Sequence, residues 1–537
     1  MTRDFISKNA IYQIYPISFC DSNDDGKGDI PGIISKLDYL KSIGIKVIWL
    51  SPIYKSPMAD MGYDIEDYYD INPIFGTMDD FRNLLSQAKE RDIRIIMDLV
   101  VNHTSDQCQW FKEAIKNPES PYRDYYIFKK GKKGKEPNNW ESSFLGSAWE
   151  PVKNEKDTYY LHLFSKAQPD LNFHNEKVIQ EVEKIMNFWM DMGVYGFRCD
   201  VISAIYKDSF EDGKKTVLGV PRGQEHYIAT KGCHQILKRL RKNVVDPHQG
   251  VLIGECLGAD LDNGPAFLED ELDTFFTFAH VGINQGKWSK EYVDPKVFGK
   301  VISDWQKTID FNGNYLENHD QHRSIGKYIK KGFEIPGSKM LLTLIYTLRG
   351  VPFIYMGEEL GARDYEKLEY SQCHDCVTSF IYQLATGYGL PKKIAFAKAR
   401  HNGRDDCRAP MAFNSQAGYG FSSEGIIPWQ KYNEYSKFLN VEYETSDTDS
   451  TLNYFKKINS FRSESDVLSF GTIEFIKEKD PELLSFIREY QGKRLKVILN
   501  FSYKPKKNII VPEKIILSNY ETHIPNQLQP YEAIISE

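Results

Sequence analysis

Short apolar runs rich in β-branched and aromatic residues recur along the chain at Ala10–Pro16, Lys46–Pro52, Arg94–Val100, Gly196–Ile202, Val251–Cys256, Thr274–His280, Asn314–Asp320 and Val351–Glu359. Each is of strand length with little polar alternation, the pattern of a strand buried on both faces. Between them apolar positions fall at helical spacing, as over Ile33–Ile43, Met78–Arg91 and Asn175–Met192. Eight such strands alternating with helices predict an α/β chain whose parallel sheet closes as a (β/α)8 TIM barrel.

Two stretches interrupt the alternation. Residues 103–172 are polar and aromatic-rich, include the Lys/Gly run KKGKKGKEP, and predict a small domain inserted after the third strand. Residues 361–420 form a second insertion, after the eighth strand. From about Phe461 the pattern alternates, in LLSFIREY and LKVILNFS, as an antiparallel β-domain does. The expected organisation is a barrel over 1–102 and 173–460, an insert over 103–172 and a C-terminal β-domain over 461–537.

Composition narrows the function classes. Aromatic residues make up 13% of the chain, enough for large cores and for ligand-stacking surfaces as well. Formal net charge is −7 with both signs interspersed, which argues against a nucleic-acid partner. The N-terminus lacks an apolar signal core, and no run approaches a membrane span. The eight cysteines are scattered, a usage that fits a reducing cytoplasm. The CHDC run (Cys373 to Cys376) has metal or redox spacing but no second pair, so reduced thiols are expected there. A monomer or weak oligomer is expected.

The chemistry is concentrated at strand ends. DLVVNH (Asp98 to His103), GFRCD (Gly196 to Asp200), GEC (Gly254 to Cys256) and ENHD (Glu317 to Asp320) each close an apolar run. In a barrel of this kind the C-terminal strand ends carry the active site. Asp200, Glu255 and Asp320 would converge there, an arrangement costly for folding unless a reaction uses it. Arg198, two residues before Asp200 on one strand, shares its face and would favour its ionised form. The neighbours Ile253, Cys256 and Leu257 of Glu255 are apolar, a setting that would raise the pKa of a carboxyl there.

These four segments, in this order, resemble the signature regions of the α-amylase family of retaining glycoside hydrolases. QPDLN (Gln168 to Asn172) resembles the signature of its oligo-1,6-glucosidase and α-glucosidase branch. The resemblance implies Asp200 as nucleophile, Glu255 as acid/base and Asp320 as the carboxylate that binds sugar hydroxyls and stabilises the oxocarbenium-like state. It implies that Tyr63, Asp64, His103, Arg198, His319 and Arg404 hold the non-reducing glucose, and that Val201 marks a preference for 1,6-linkages. The expected partners are thus α-glucosidic oligosaccharides. The segment RDDCRAPMAF departs from the usual RDNARTPMQW, which affects the acceptor side. DSNDDGKGD (Asp21 to Asp29) places oxygen ligands at Asp21, Asn23, Asp25 and Asp29, though Gly32 replaces the glutamate of an EF-hand. It resembles a family calcium loop, in which Lys27 would add its backbone oxygen to a structural Ca2+.

Three functions are weighed. The first is an exo-acting oligo-1,6-glucosidase. The second keeps the chemistry with another acceptor: α-1,4-glucosidase, sucrose isomerase, transglucosylase or trehalose-6-phosphate hydrolase. The sequence HRSIGKYI stands where isomerases carry an RLDRD-type loop, and Lys327, Lys330 and Lys331 would have to greet a phosphate. The third is a non-catalytic, transporter-associated relative, disfavoured because all three carboxylates are present.

Overall fold

The strands within the apolar runs at Ile11–Ile14, Val47–Leu50, Val251–Glu255 and Gly350–Tyr355 are buried from end to end in the computed structural model of the chain. The structure describes residues 2–144, 146–215, 220–284, 292–512 and 514–537. Eight parallel strands close into a barrel in sequence order: β1 (Ile11–Ile14), β2 (Val47–Leu50), β3 (Arg94–Leu99), β4 (Gly196–Cys199), β5 (Val251–Glu255), β6 (Thr274–Phe276), β7 (Asn312–Asn314) and β8 (Gly350–Tyr355). Gly196 lies in register with Ile96 and Val251. A Cβ there would stand 2.1 Å from the Val251 carbonyl oxygen, so the strand that carries GFRCD has to begin with glycine.

By packing, the chain divides into two compact units. One comprises Leu50–Leu85 and Ile95–Phe278. Within its inserted stretch, Phe128–Lys130, Thr158–Leu161 and Trp149–Pro151 pair as a three-stranded antiparallel sheet. Trp140, Trp149, Leu161, Leu163 and Tyr227 form a core there. The helix Glu176–Met192 starts where the Asn175 side chain accepts the Lys177 N–H and stops at Gly193, whose φ is 114°. Its buried Val178, Val182, Ile185, Met186 and Trp189 repeat at helical spacing.

The other unit comprises Met1–Trp49, Ser86–Arg94 and Ala279–Glu537. Its second insertion folds into the helices Cys376–Gly387 and Lys392–Asn402. The C-terminal sheet has five antiparallel strands, β9 (Thr472–Ile476), β10 (Leu483–Tyr490), β11 (Lys493–Asn500), β12 (Ile515–Ser518) and β13 (Ala533–Ser536), ordered β9-β10-β11-β13-β12.

Three local expectations change. The helix expected over Ile33–Ile43 is two, Ile30–Ser35 and Leu37–Ser42, because Lys36 leaves helical geometry (φ −110°, ψ 4°). The seventh strand is Asn312–Asn314 rather than Asn314–Asp320. Its end gives way to a turn in which the Asn318 side chain accepts the Asp320 N–H at 2.8 Å, a local bond that competes with a sheet ladder. Position 461 falls inside the helix Thr451–Glu464, and the terminal sheet begins only at Thr472.

That last helix carries an unusual fastening. Arg462 is fully buried and donates to the carbonyl oxygens of Ser7, Tyr346, Leu348 and Gly350, with no carboxylate among these partners. Burial lowers its pKa to about 10. Arg462→Met should strand those carbonyls and cost about 3 kcal/mol or more. Calorimetry at fixed scan rate should show a melting temperature several degrees lower; an unchanged transition would mean that other donors replace the guanidinium.

Candidate active site

The Leu50–Leu85 and Ile95–Phe278 unit holds a cluster built on one guanidinium. Arg198, fully buried, donates from Nη1 to Asp98 Oδ1 (2.8 Å) and Asp200 Oδ1 (2.7 Å), and from Nη2 to Glu255 Oε2. Tyr63 closes the group: its hydroxyl is 3.2 Å from Asp98 Oδ2, and its ring lies 5.9 Å from the Arg198 guanidinium. Burial pushes the Asp200 carboxyl up to about 6, against the pull of Arg198; a hydrogen bond with Glu255 also lowers it. Asp200 and Glu255 thus share one guanidinium, which holds the two acids as close neighbours on the ends of β4 and β5.

Glu255 does not stand in the apolar setting its sequence neighbours imply. It faces Arg198 and also accepts the Val201 N–H at 3.3 Å. Val201 has φ 37° and ψ 37°, a left-handed conformation that is strained for a β-branched residue. The backbone bends straight after Asp200, and the bend aims that N–H at Glu255.

Two expected glucose ligands are turned inward. Asp64 is fully buried and spends its oxygens on its own loop, accepting from Ser56 Oγ (3.1 Å), Asp60 N (2.9 Å) and Ala59 N (3.0 Å). Burial raises its pKa to about 6. His103 Nε2 lies 3.0 Å from the Tyr63 carbonyl and 3.2 Å from Gln168 Nε2, and burial lowers its pKa. Gln168, the first residue of QPDLN, also donates to Asp60 Oδ2 at 3.1 Å. Asp170 pairs with the buried Lys207 at 2.7 Å and accepts from Asn102 Nδ2 and Leu163 N. QPDLN thus ties the inserted stretch to the ends of β3 and β4.

The other unit holds Asp320. Its Oδ1 accepts from Arg408 Nη2 (3.0 Å) and Arg404 Nη1 (3.3 Å), and His319 Nε2 is 3.2 Å from Oδ2. His319 is held at Nδ1 by Gln13 Nε2 (2.7 Å) and stacks on Tyr15. Arg404 is anchored from behind by Asp375. Burial alone would raise the Asp375 pKa, but Arg404 and Arg408 overcome it and hold the value at about 2. Asp98, Lys207, Asp375 and Arg408 were not singled out as site residues. Asp98, Asp375 and Arg408 stand inside quoted motifs, so their signal was available, Asp375 masked by the two thiols of CHDC; Lys207 carries none.

The Asp21–Asp29 loop fits a hard cation by donor chemistry. Asp21 and Asp29 are buried without a described ion pair, and the Asn23 and Asp25 oxygens line the same loop. Each side chain accepts loop N–H groups: Asp21 those of Asn23, Asp24 and Gly26, Asp29 those of Ser22 and Gly32. Carboxylate oxygens retain further lone pairs for an ion. The CHDC thiols have separate contacts, Cys373 with the Glu369 carbonyl and Cys376 with Arg404 Nη2. Among the described residues, His322, Asp364 and Asp406 bring three ligand atoms within 4.8 Å of one another. Arg400 binds both oxygens of Asp406 there, so that group is an ion-pair network.

The lysines weighed for phosphate are engaged elsewhere. Lys330 lies 3.8 Å from the Tyr503 ring, Lys331 pairs with Glu366 and Lys327 donates to Gln321.

Comparison with known proteins agrees with this chemistry. Residues 13–471 match the model of the alpha amylase catalytic domain. The chain is 39% identical to an oligo-1,6-glucosidase of Parageobacillus thermoglucosidasius, with 99% of each chain covered. It is 36% identical to a trehalose-6-phosphate hydrolase of Bacillus subtilis, covering 98% of this chain and 97% of that one. Among solved structures, the trehalose-6-phosphate hydrolase of Bacillus licheniformis superposes with TM-score 0.93 at 36% identity, with 99% of each chain covered. The isomaltulose synthase of Klebsiella sp. LX3 does so with TM-score 0.93 at 32% identity and the same coverage.

Proposed function

The chain belongs to the α-amylase family, and from that premise we propose that it is a retaining, exo-acting α-glucosidase that hydrolyses the α-1,6 bonds of isomaltose-type oligosaccharides. The observation that carries the reading is that Asp200 and Glu255 both accept from the one guanidinium of Arg198. In the proposed mechanism Asp200 attacks the anomeric carbon while Glu255 gives its proton to the leaving oxygen. Glu255 then takes a proton from the water that hydrolyses the glucosyl-enzyme. Arg198 keeps charge at the buried nucleophile, and Asp320 supports the positive charge of the transition state. Tyr63, His319 and Arg404 contact the glucose. Asp64 retains further lone pairs for a sugar hydroxyl beyond its loop bonds and stays with this group, while His103, whose Nε2 faces the Tyr63 carbonyl, shapes the Tyr63 backbone. The linkage follows from the oligo-1,6-glucosidase relatives and from Val201, which the family resemblance puts on the acceptor side. A cytoplasmic location is supported by eight unpaired cysteines, and no described helix is long and apolar enough to cross a membrane.

Isomaltose, maltose, sucrose, trehalose and trehalose-6-phosphate, supplied separately, should give fastest glucose release from isomaltose, with α-glucose as the first product by proton NMR. One or two methyl groups discriminate by about 1–3 kcal/mol, so Val201→Ala should raise kcat/KM on maltose relative to isomaltose about tenfold. Faster cleavage of trehalose-6-phosphate would assign the chain to the phosphate-accepting relatives, and early β-glucose would remove Asp200 as nucleophile.

The pH dependence follows from the raised Asp200 pKa. The attacking form is the carboxylate, so kcat/KM should fall as pH drops through about 6, well above the usual aspartate range. The stability linkage has the opposite sense: Asp200 favours folding when protonated, and this contribution is lost as pH rises through about 6. Asp200→Asn should abolish turnover. An acid limb near pH 4 would mean that substrate or Arg198 holds the carboxylate more strongly than burial opposes it.

We assign Asp21, Asn23, Asp25, the Lys27 carbonyl and Asp29 to one structural Ca2+, which would offset the buried negative charge and take no part in catalysis. Chelation should lower the melting temperature, and Asp21→Asn should do so without further loss on chelation. Identical transitions with and without chelator would dismiss the ion.

A further inference from the structure

The CHDC run, whose spacing suggests a pair of working thiols, is organised around its aspartate. The Asp375 side chain is fully buried. Its Oδ1 accepts from Arg404 Nε (2.9 Å) and Nη2 (2.6 Å), and its Oδ2 from the Arg404 backbone N–H (2.9 Å). The same carboxylate caps the helix Cys376–Gly387 by accepting from Val377 N and Thr378 N. The backbone of Asp375 is braced in turn: the N–H groups of His374 and Asp375 donate to Asp405 Oδ1 at 2.7 and 3.0 Å, and Thr378 Oγ1 donates to Asp405 Oδ2 at 2.7 Å. Arg404 therefore has one edge fixed, and the remaining nitrogen, Nη1, stands 3.3 Å from Asp320 Oδ1.

Charge alternates along this line. Asp375 faces Arg404, Arg404 faces Asp320, and Asp320 also faces Arg408. Two guanidinium groups on one carboxylate would leave a positive field where a glucosyl transition state itself becomes positive, and such a field opposes the reaction. A carboxylate on the far side of Arg404 reduces that field without touching sugar.

We infer that Asp375 is a positioning residue for glucosyl transfer: it orients Arg404 against Asp320 and moderates the positive charge those arginines present to the transition state. The inference rests on the reading of Asp320 as the carboxylate that stabilises this charge.

The test compares Asp375→Asn, Arg404→Gln and Asp320→Asn in the full chain. Asparagine retains one capping oxygen, removes the charge and turns the other acceptor into a donor, so the readout must separate charge from folding. Asp375→Asn should lower kcat on isomaltose by tenfold order or more while KM changes less. The decisive readout is the ratio of inhibition constants for protonated 1-deoxynojirimycin and neutral glucose, which does not depend on how much of a preparation is folded. Asp375→Asn should weaken the cation about tenfold relative to glucose. Arg404→Gln removes the opposite charge and should shift the ratio the other way, so the test stands even if Asp375→Asn folds poorly. Equal weakening of both inhibitors, or an unmoved ratio in both variants, would overturn the inference and leave Asp375 as a helix cap. Near-normal kcat in Asp320→Asn would instead overturn the underlying reading of Asp320.

Discussion

Asp98, Asp200 and Glu255 can lie together inside the chain because one buried guanidinium, that of Arg198, bonds all three. Ionised carboxylates taken out of water repel one another and lose hydration, and without an internal cation the group would protonate or open. One positive charge cannot balance three negative ones, so a proton is retained in the group, and burial moves the Asp200 pKa up toward neutrality. The shortage of positive charge is what makes the site useful: it leaves a carboxylate ready to attack beside a carboxyl able to give a proton.

The frame around this group is arranged to hold Arg198 and its acids in place. Tyr63 and the Asp98 carboxylate immobilise the guanidinium from one side, and the strained backbone at Val201 supplies an N–H from the other. Strain at such a residue persists only where its surroundings over-determine it. The inserted stretch contributes through charge as well as packing. The buried pair of Lys207 and Asp170, with Asn102, joins it to the strand ends. Removing one partner of such a pair costs more than the pair contributes, which is how a surface insertion becomes inseparable from a barrel.

In the other unit the same economy applies with reversed signs. Asp320 is the acceptor of two guanidinium groups, and Asp375 restrains one of them from behind. Arginine suits this work because its planar fork can bind a carboxylate along one edge and present nitrogen along another. Arg462 shows the same geometry used purely for structure, with its donors spread over backbone carbonyls instead of acids.

How much was legible depended on how local each signal is. The barrel was readable because parallel strands buried on both faces are continuous apolar runs, and the acids because each follows such a run within a few residues. Arg198 was placed on the face of Asp200 by strand periodicity alone, and the 2.7 Å bond agrees. Strand ends were less legible: Asn318 diverts the chain into a turn, and nothing apolar marks the loss. The inward turns of Asp64 and His103, the bend at Val201 and the hold of Asp375 on Arg404 were decided only in three dimensions. Each depends on which donors surround a side chain once distant segments meet, as when residue 375 meets 404 or 168 meets 60. By itself the sequence determined which residues could do chemistry and on which strands they ride. Tertiary structure decided which of them face one another and which are consumed in holding the rest, because hydrogen bonds between distant segments leave no periodic trace along the chain.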